Sequence, residues 1–463
     1  MPDFALLGGT VRSSYGDPPQ LPLVNMFAEK AITEPRQFKL RSRERLYTFG
    51  SVISAGAVTR ALHRWDRTPA ADSIAVYNTS VYVDNVSQGT LAVSGYVSIA
   101  SNSVGAVMTA GEDAKFWDGT TFRSVTFPSS LTVLKIIEQG GRFIAIPDGS
   151  ISYFWTEPYD AMIDGSGDIL FDVLDFASAE AESDSLVDGL AYRDAIILGG
   201  ERTIEVHYPT GVDTAPWAPT IGSQIDSGVI QTGCMTTWND GFAWVTPDWT
   251  IEYSTGIGHE RISNSGIEEV LPTMEQVILD SFEYAGQEFL RVRPVDYDNV
   301  PSLPHLLLSA QTGEWCEWSS EGGEFLGGCV EGGSSLGLIF GSLENGQSLH
   351  LSTTGTTAED IPDKSFCFGL PIDGGEISID NVLLRCQTDL ASATITLTTS
   401  NDKGRTFTSR GSRTLDGTRN RVSWRALGKF DQAGFLGKCT VANAAEFAVS
   451  GALYNEPGGG RSR

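Results

Sequence analysis

Catalysis or metal binding would need cysteine, histidine or carboxylate groups at working spacings, and in this sequence each set is dispersed. Cys234, Cys316, Cys329, Cys367, Cys386 and Cys439 show no C-x-x-C spacing and no neighbouring histidine. They read as reduced, mostly buried thiols rather than a disulfide framework. His63, His207, His259, His305 and His350 contain no H-E-x-x-H or H-x-H pair, and read as separate turn and strand histidines rather than a zinc set. Asp164, Ser166, Asp168 and Asp172 place oxygens loosely like a calcium loop, but no glutamate stands at the twelfth position. With 58 acidic residues, some carboxylate pair falls at glycosidase separation by chance, so pairing alone carries no weight. P-loop, G-x-G-x-x-G and kinase signatures are missing, and no G-x-S-x-G elbow, a strand-to-helix turn, is read. The expectation is no catalytic residue, no metal and no cofactor.

Two constellations point to binding or turn chemistry instead. Arg36, Lys39, Arg41, Arg43 and Arg45 alternate with Phe38, Leu40 and Leu46 near strand spacing. One side would be apolar and the other basic, either a docking strip for an acidic partner or the solvated face of an outer strand. Ser400-Asn401-Asp402-Lys403-Gly404-Arg405-Thr406-Phe407 has the S-x-D-x-G-x-T-aromatic order of an Asp-box, in which the aspartate ties down a hairpin turn and the ring enters the core. Asp-boxes occur in sialidases and in many non-enzymes, so a single copy says little about chemistry.

Charge restricts the partners. Residues 1–67 hold 10 Lys and Arg against 6 Asp and Glu, and residues 376–463 hold 12 against 8. Subtracting both from the totals of 32 and 58 leaves 10 basic and 44 acidic residues between them, a net of −34 between two segments at +4. Such a middle repels a polyanion rather than binding it.

The elements that carry these residues are strands. Residues 186–262 make one move twice: a short strand, a polar turn (Tyr192-Arg193-Asp194, then Asn239-Asp240-Gly241), an apolar strand, a second turn and an alternating strand. From residue 56 to about 353, seven landmark strands recur: VYVDN at 81, KFWDG at 115, ISYFW at 151, TIEVHY at 203, TIEYS at 250, LLLSAQTGEWCEW at 306 and SLHLS at 348. Their mean step of about 45 residues suits a four-stranded propeller blade. Residues 157–185, 209–230 and 294–305 read as insertions from blade edges, the first of them acidic. After 376 the strands lengthen (EISIDNVLLRCQ, SATITLTTS, RVSWRAL, GKCTVA, EFAVSGALY), as in an antiparallel sandwich. The predicted fold is therefore all-β: an N-terminal arm and basic segment over 1–55, a β-propeller of about six to seven blades over 56–353, a linker over 354–375, and a β-sandwich over 376–463 ending in a disordered tail. No apolar run is long enough to span a membrane and no secretory signal is visible, so the chain is expected to be soluble and made in a cytoplasm.

LVNMFAEKA, KLRSRERLYTFG, GRFIAIPDGSISYFW, DFASAEAESDSLVDGLAYRDAIILGGERTIEVHYPTG, GFAWVTPDWTIEY and LLLSAQTGEWCEW together resemble the tail-hub proteins of short-tailed bacteriophages, also called nozzles or packaged-DNA stabilisation proteins. The resemblance spans most of 20–320. One departure is that relatives often carry Pro-Gly where this chain has Arg43-Glu44-Arg45. The resemblance implies a non-enzymatic virion protein assembled in the host cytoplasm. It would form a ring, six copies in the relatives, beneath the portal and its adaptor ring. That ring closes or guides the DNA channel, takes part in DNA ejection, and anchors tailspikes, fibres or a needle. Genomic DNA would pass the acidic lumen without specific binding, and the basic strip would contact a partner. The alternatives from other classes are a propeller glycosidase or sialidase, and a glycan-binding module using Trp217, Trp244, Trp249, Trp315 and Trp318 as stacking platforms. A sialidase needs clustered arginines, and Arg123, Arg142, Arg193, Arg202, Arg261, Arg291 and Arg293 show no grouping in sequence.

Overall fold

The computed structural model describes residues 3–455, except 7–22, 31–37, 68–70, 92–94, 180–183, 257, 297–302, 321–326, 335–336, 344, 353–354, 356–358, 370–374, 389–391, 417 and 432–433. Seven four-stranded antiparallel sheets follow one another as blades, and a ten-stranded assembly stands beside them. The seven landmark strands each fall in a different blade, always as its third strand. Hairpin chemistry explains the repetition: Asn239 and Asp240 both adopt positive φ at the turn into Gly241–Val245, the backbone that a two-residue hairpin between twisted strands requires. The innermost strands touch in cyclic order, from Thr59–Trp65 round to Gly327–Ser334 and back, so the ring is closed.

Closure comes from outside the predicted propeller. The seventh blade is Gly327–Ser334, Gly337–Ser342 and Gly346–Ser352 completed by Arg45–Ser54, with Leu351 opposite Leu46 and Leu349 opposite Thr48. The expected 1–55 arm is thus corrected: its end is a blade strand, and Met26–Lys30 and Phe38–Ser42 join the sandwich. The linker over 354–375 changes likewise, since Lys364–Gly369 pairs with Leu436–Ala442 along its whole length. Residues 209–230 are not an insertion. They carry Trp217–Ile225, the outer strand of the fourth blade, where Pro219 is tolerated because an edge strand has backbone groups outside the ladder. The expected C-terminal tail lies outside the described residues.

Each pair of neighbouring blades buries one apolar layer. Phe116 and Val107 of the second blade meet Phe143 and Ala145 of the third, and Trp155 and Ile144 of the third meet Ile196 and Trp217 of the fourth. Two-faced sheets of this kind are stable only when stacked. The sandwich has its own layer, including Val382, Leu384, Trp424, Ile395 and Leu397, and this runs without a break into Phe282, Phe289 and Trp318 of the sixth blade.

Candidate interaction surfaces

The basic strip divides into three. Arg36 lies outside the described residues. Arg43 is fully buried, and all five of its guanidinium N–H groups donate: Nε to Asn25 Oδ1 at 2.9 Å, Nη1 to Glu359 Oε1 at 2.6 Å and to the Glu44 carbonyl at 3.0 Å, Nη2 to Glu359 Oε2 and to the Ser319 carbonyl, each at 2.9 Å. Glu359 also accepts from Leu46 N–H and from the Ser320 hydroxyl. Arg43 as a partner-contact residue is therefore corrected. It is a clasp that ties the N-terminal segment, the end of the sixth blade and the stretch before the sandwich to each other. Arg45 is half-buried; it donates to the Glu359 carbonyl at 2.6 Å and lies 6.0 Å from the Tyr47 ring centroid. It is held against the fold at that carbonyl and ring.

Lys39 and Arg41 remain. In Phe38–Ser42, Leu40 and Ser42 are buried while Lys39 and Arg41 are only half-covered, the alternation read from the sequence. The two cations line a cleft of about 560 Å³ with Glu44, Gln387, Arg419 and Glu446. Burial, then the neighbouring Glu446, pushes the Glu44 carboxyl up, and Arg41 opposes them. The cleft is polar and mixed in charge, suited to charged partner groups rather than to an apolar ligand.

Buried charges bridge the innermost strands of neighbouring blades. Lys135 on the third blade's innermost strand meets Asp188 on the fourth's at 2.6 Å, and both are buried. Asp188 Oδ2 also accepts from the Gly233 and Met235 N–H groups at the start of the fifth blade, so one carboxylate stitches three blades. The half-buried Tyr96 packs over Gly233. In the sixth blade Asp280 receives both Arg291 (2.7 Å, twice) and Arg293 (3.1 Å).

Among the described residues, the groups weighed for catalysis stand apart or are buried. His207 bridges Tyr153 at 3.1 Å and Glu205 at 3.0 Å, but all three are buried inside a blade interface. Of the arginines weighed for a sialidase site, Arg123 reaches Asp118 and Asp168, Arg142 reaches Glu157, Arg261 reaches Glu268, and Arg291 and Arg293 share Asp280. Apart from Arg291 and Arg293, which share the strand Gln287–Pro294, they sit on different blades. Trp217, Trp244, Trp315 and Trp318 are buried between blades and Trp249 is half-buried, so none offers a fully open stacking face. Asp164 accepts from Ser166 and Asp168 N–H, the geometry of a turn clasp, and no group of three or more metal-ligating side chains occurs among the described residues. The Asp-box is a clasp too: Asp402 accepts from the Thr406 N–H and hydroxyl and from the Ser400 hydroxyl, which holds its carboxyl down at about 2. Five described cysteines are free and buried, and burial pushes Cys367 and Cys386 up to about 12.

The sequence signal missed the clasp because Arg43 and Glu359 are 316 positions apart. Neither stands in a motif.

Together these features define a class: an all-β scaffold, a seven-bladed propeller locked by its own N-terminal strand and fused to a sandwich, whose buried charges join parts of the fold to each other. The chain belongs to the bacteriophage P22 Gp10 β-propeller family, the phage-stabilisation family, which matches residues 3–294. It is a phage structural protein. No curated protein matches its sequence. Among solved structures, BamB from Moraxella catarrhalis is similar at 12% identity over 66% of this chain and 98% of its own, with a TM-score of 0.40. The β-propeller domain of Cps50 (Swd1) from Myceliophteria thermophila is similar at 12% identity over 66% and 100%, with a TM-score of 0.41. An exo-β-1,3-galactanase from Phanerochaete chrysosporium is similar at 10% identity over 86% and 99%, with a TM-score of 0.30. No helix among the described residues is long and apolar enough to cross a membrane.

Proposed function

We propose that this protein is a non-enzymatic tail hub or nozzle of a short-tailed bacteriophage. Copies of it form a ring, a homohexamer by resemblance, below the portal and adaptor. That ring closes or guides the DNA channel and anchors tailspikes, fibres or a needle. The observation that carries the reading is the family match over 3–294, which takes in the first five blades and half of the sixth. The buried Lys135–Asp188 pair between the innermost strands of the third and fourth blades supports a rigid scaffold role, and in this reading the DNA conduit is the space enclosed by the ring of subunits. An excess of 44 acidic over 10 basic residues in 68–375 would let a polyanion slide past without binding.

Depletion of this chain during particle assembly tests the role. Filled heads that lose their DNA and carry no tailspikes are expected. Particles that keep both DNA and spikes would refute it. Residue-level imaging of the tail checks the geometry, and a solitary subunit away from the portal axis is the contrary result.

A further inference from the structure

The outer face of the sandwich is more basic than the N-terminal strip alone suggested. One sheet runs Met26–Lys30, Phe38–Ser42, Phe447–Asn455, Glu376–Thr388, Arg421–Asp431. Val382, Leu384, Cys386, Val422 and Trp424 turn into the core, so the alternating positions between them face outward. Among these are Arg385, Arg421 and Arg425, in one face with Lys39 and Arg41, with Glu29 opposite Lys39. Arg385 stands directly opposite Arg421 in the ladder. Both are exposed, and like charges so placed destabilise a sheet. Among the described residues, none of Lys39, Arg41, Arg385, Arg421 and Arg425 has a carboxylate within ion-pair distance. The isolated subunit gains nothing from that arrangement.

A second surface carries the opposite sign. Residues 157–178, which lead from the third strand of the third blade through its fourth, contain six acidic residues and no lysine or arginine. Burial and then the neighbouring Glu157 and Asp172 push the Asp175 carboxyl up. The same segment exposes Leu170 (53%), Val173 (56%), Leu174 (78%) and Phe176 (49%), an apolar cluster larger than isolated surface residues account for.

The two surfaces cannot meet within one chain. The sandwich is anchored to the sixth and seventh blades, through Val24 beside Glu317, Phe27 against Phe289, and the Arg43 clasp. In a closed ring of seven, the third blade lies diametrically across from that edge.

We propose that they are the two halves of one head-to-tail interface between copies of this chain. The acidic, leucine-bearing segment 157–178 of one subunit seats on the arginine face of the next subunit's sandwich. The proposal rests on the ring reading above and adds which surfaces meet. Two different patches placed across a disc generate a ring when the rotation closes. Opposite fields steer the encounter and set the register. Arginine stems and half-buried Leu383 give Leu174 and Val173 apolar surface to cover.

Sedimentation velocity of the full chain at low and high salt tests this, with Arg421→Glu/Arg425→Glu, Asp160→Lys/Asp175→Lys, the two pairs combined, and Leu174→Asp. The carboxylate that Arg421→Glu introduces would face Arg385, so the first variant keeps a favourable sheet pair. Circular dichroism and melting check folding, and Leu174→Asp, at a side chain 78% exposed, supplies a second reading. Wild type is expected to assemble, with affinity falling on the order of tenfold or more between 50 and 500 mM salt. Each charge reversal and Leu174→Asp should weaken assembly, and combining the reversals should restore most of it. If wild type assembles and no variant alters it, the interface is wrong while the ring reading stands. A wild type that remains monomeric under every condition removes both. Binding of a DNA duplex probe that Arg421→Glu/Arg425→Glu abolishes, with self-association untouched, overturns the proposal in favour of a nucleic-acid face.

Discussion

Removing the guanidinium of Arg43 by Arg43→Ala leaves Glu359 as a buried carboxylate held only by the Leu46 N–H and the Ser320 hydroxyl. It also strips the Ser319 carbonyl of its donor. Breaking a buried pair from one side costs about 3–5 kcal/mol because the remaining charge is uncompensated. Against a total stability of about 5–15 kcal/mol that is a large share. Arg43→Lys should recover little, since an ammonium cannot supply five donors in a planar fork. The double variant Arg43→Met/Glu359→Leu should lose less than either single change, because no buried charge is stranded. Urea unfolding gives the free energies. Limited proteolysis locates the opening, expected at the junction of sixth blade, N-terminal segment and sandwich rather than inside the blades. A loss below about 1 kcal/mol for Arg43→Ala, or a double variant equal to the sum of the singles, would refute the clasp and return Arg43 to the candidates for partner contact.

Other outcomes follow from the same structure. Lys135→Met strands Asp188, which keeps three backbone N–H partners but no cation, and is expected to lower stability by about 2–4 kcal/mol in chemical denaturation. Deleting residues 1–55 removes the fourth strand of the seventh blade. Hydrogen exchange should then show the amides of Gly346–Ser352 that faced the deleted strand losing protection, and the melt less cooperative. Burial holds the His63 imidazole down at about 4 against an ordinary 6.5, and holds His305 well below its ordinary value. Both are neutral in the fold and protonate more readily when unfolded, so their contribution is complete above about pH 6.5 and is lost as pH falls; for His63 the loss runs down to about pH 4. A melting temperature that is flat between pH 7 and 4.5 in His63→Gln/His305→Gln but not in wild type checks this assignment. The five described free cysteines should resist a thiol reagent until the protein unfolds.

What could be read along the chain was local. Polar turns such as Asn239-Asp240, apolar strands such as Gly241–Val245, and the recurrence of third strands marked seven units because hairpins are built from neighbours in sequence. The alternation around Leu40 sets Lys39 and Arg41 on the side of the strand away from Leu40 for the same reason: a strand's two sides follow its own period of two. Closure, by contrast, pairs Leu46 with Leu351, and the clasp joins Arg43 to Glu359. Neither partner leaves a trace beside the other in the sequence. Arg43 and Lys39 are indistinguishable there, two cations in one basic run. Only the folded chain decides that one is walled in by three segments while the other faces water, because burial is a property of what arrives from afar. The same holds for Arg385 and Arg421, whose opposition exists only once two residues 36 positions apart are brought into register.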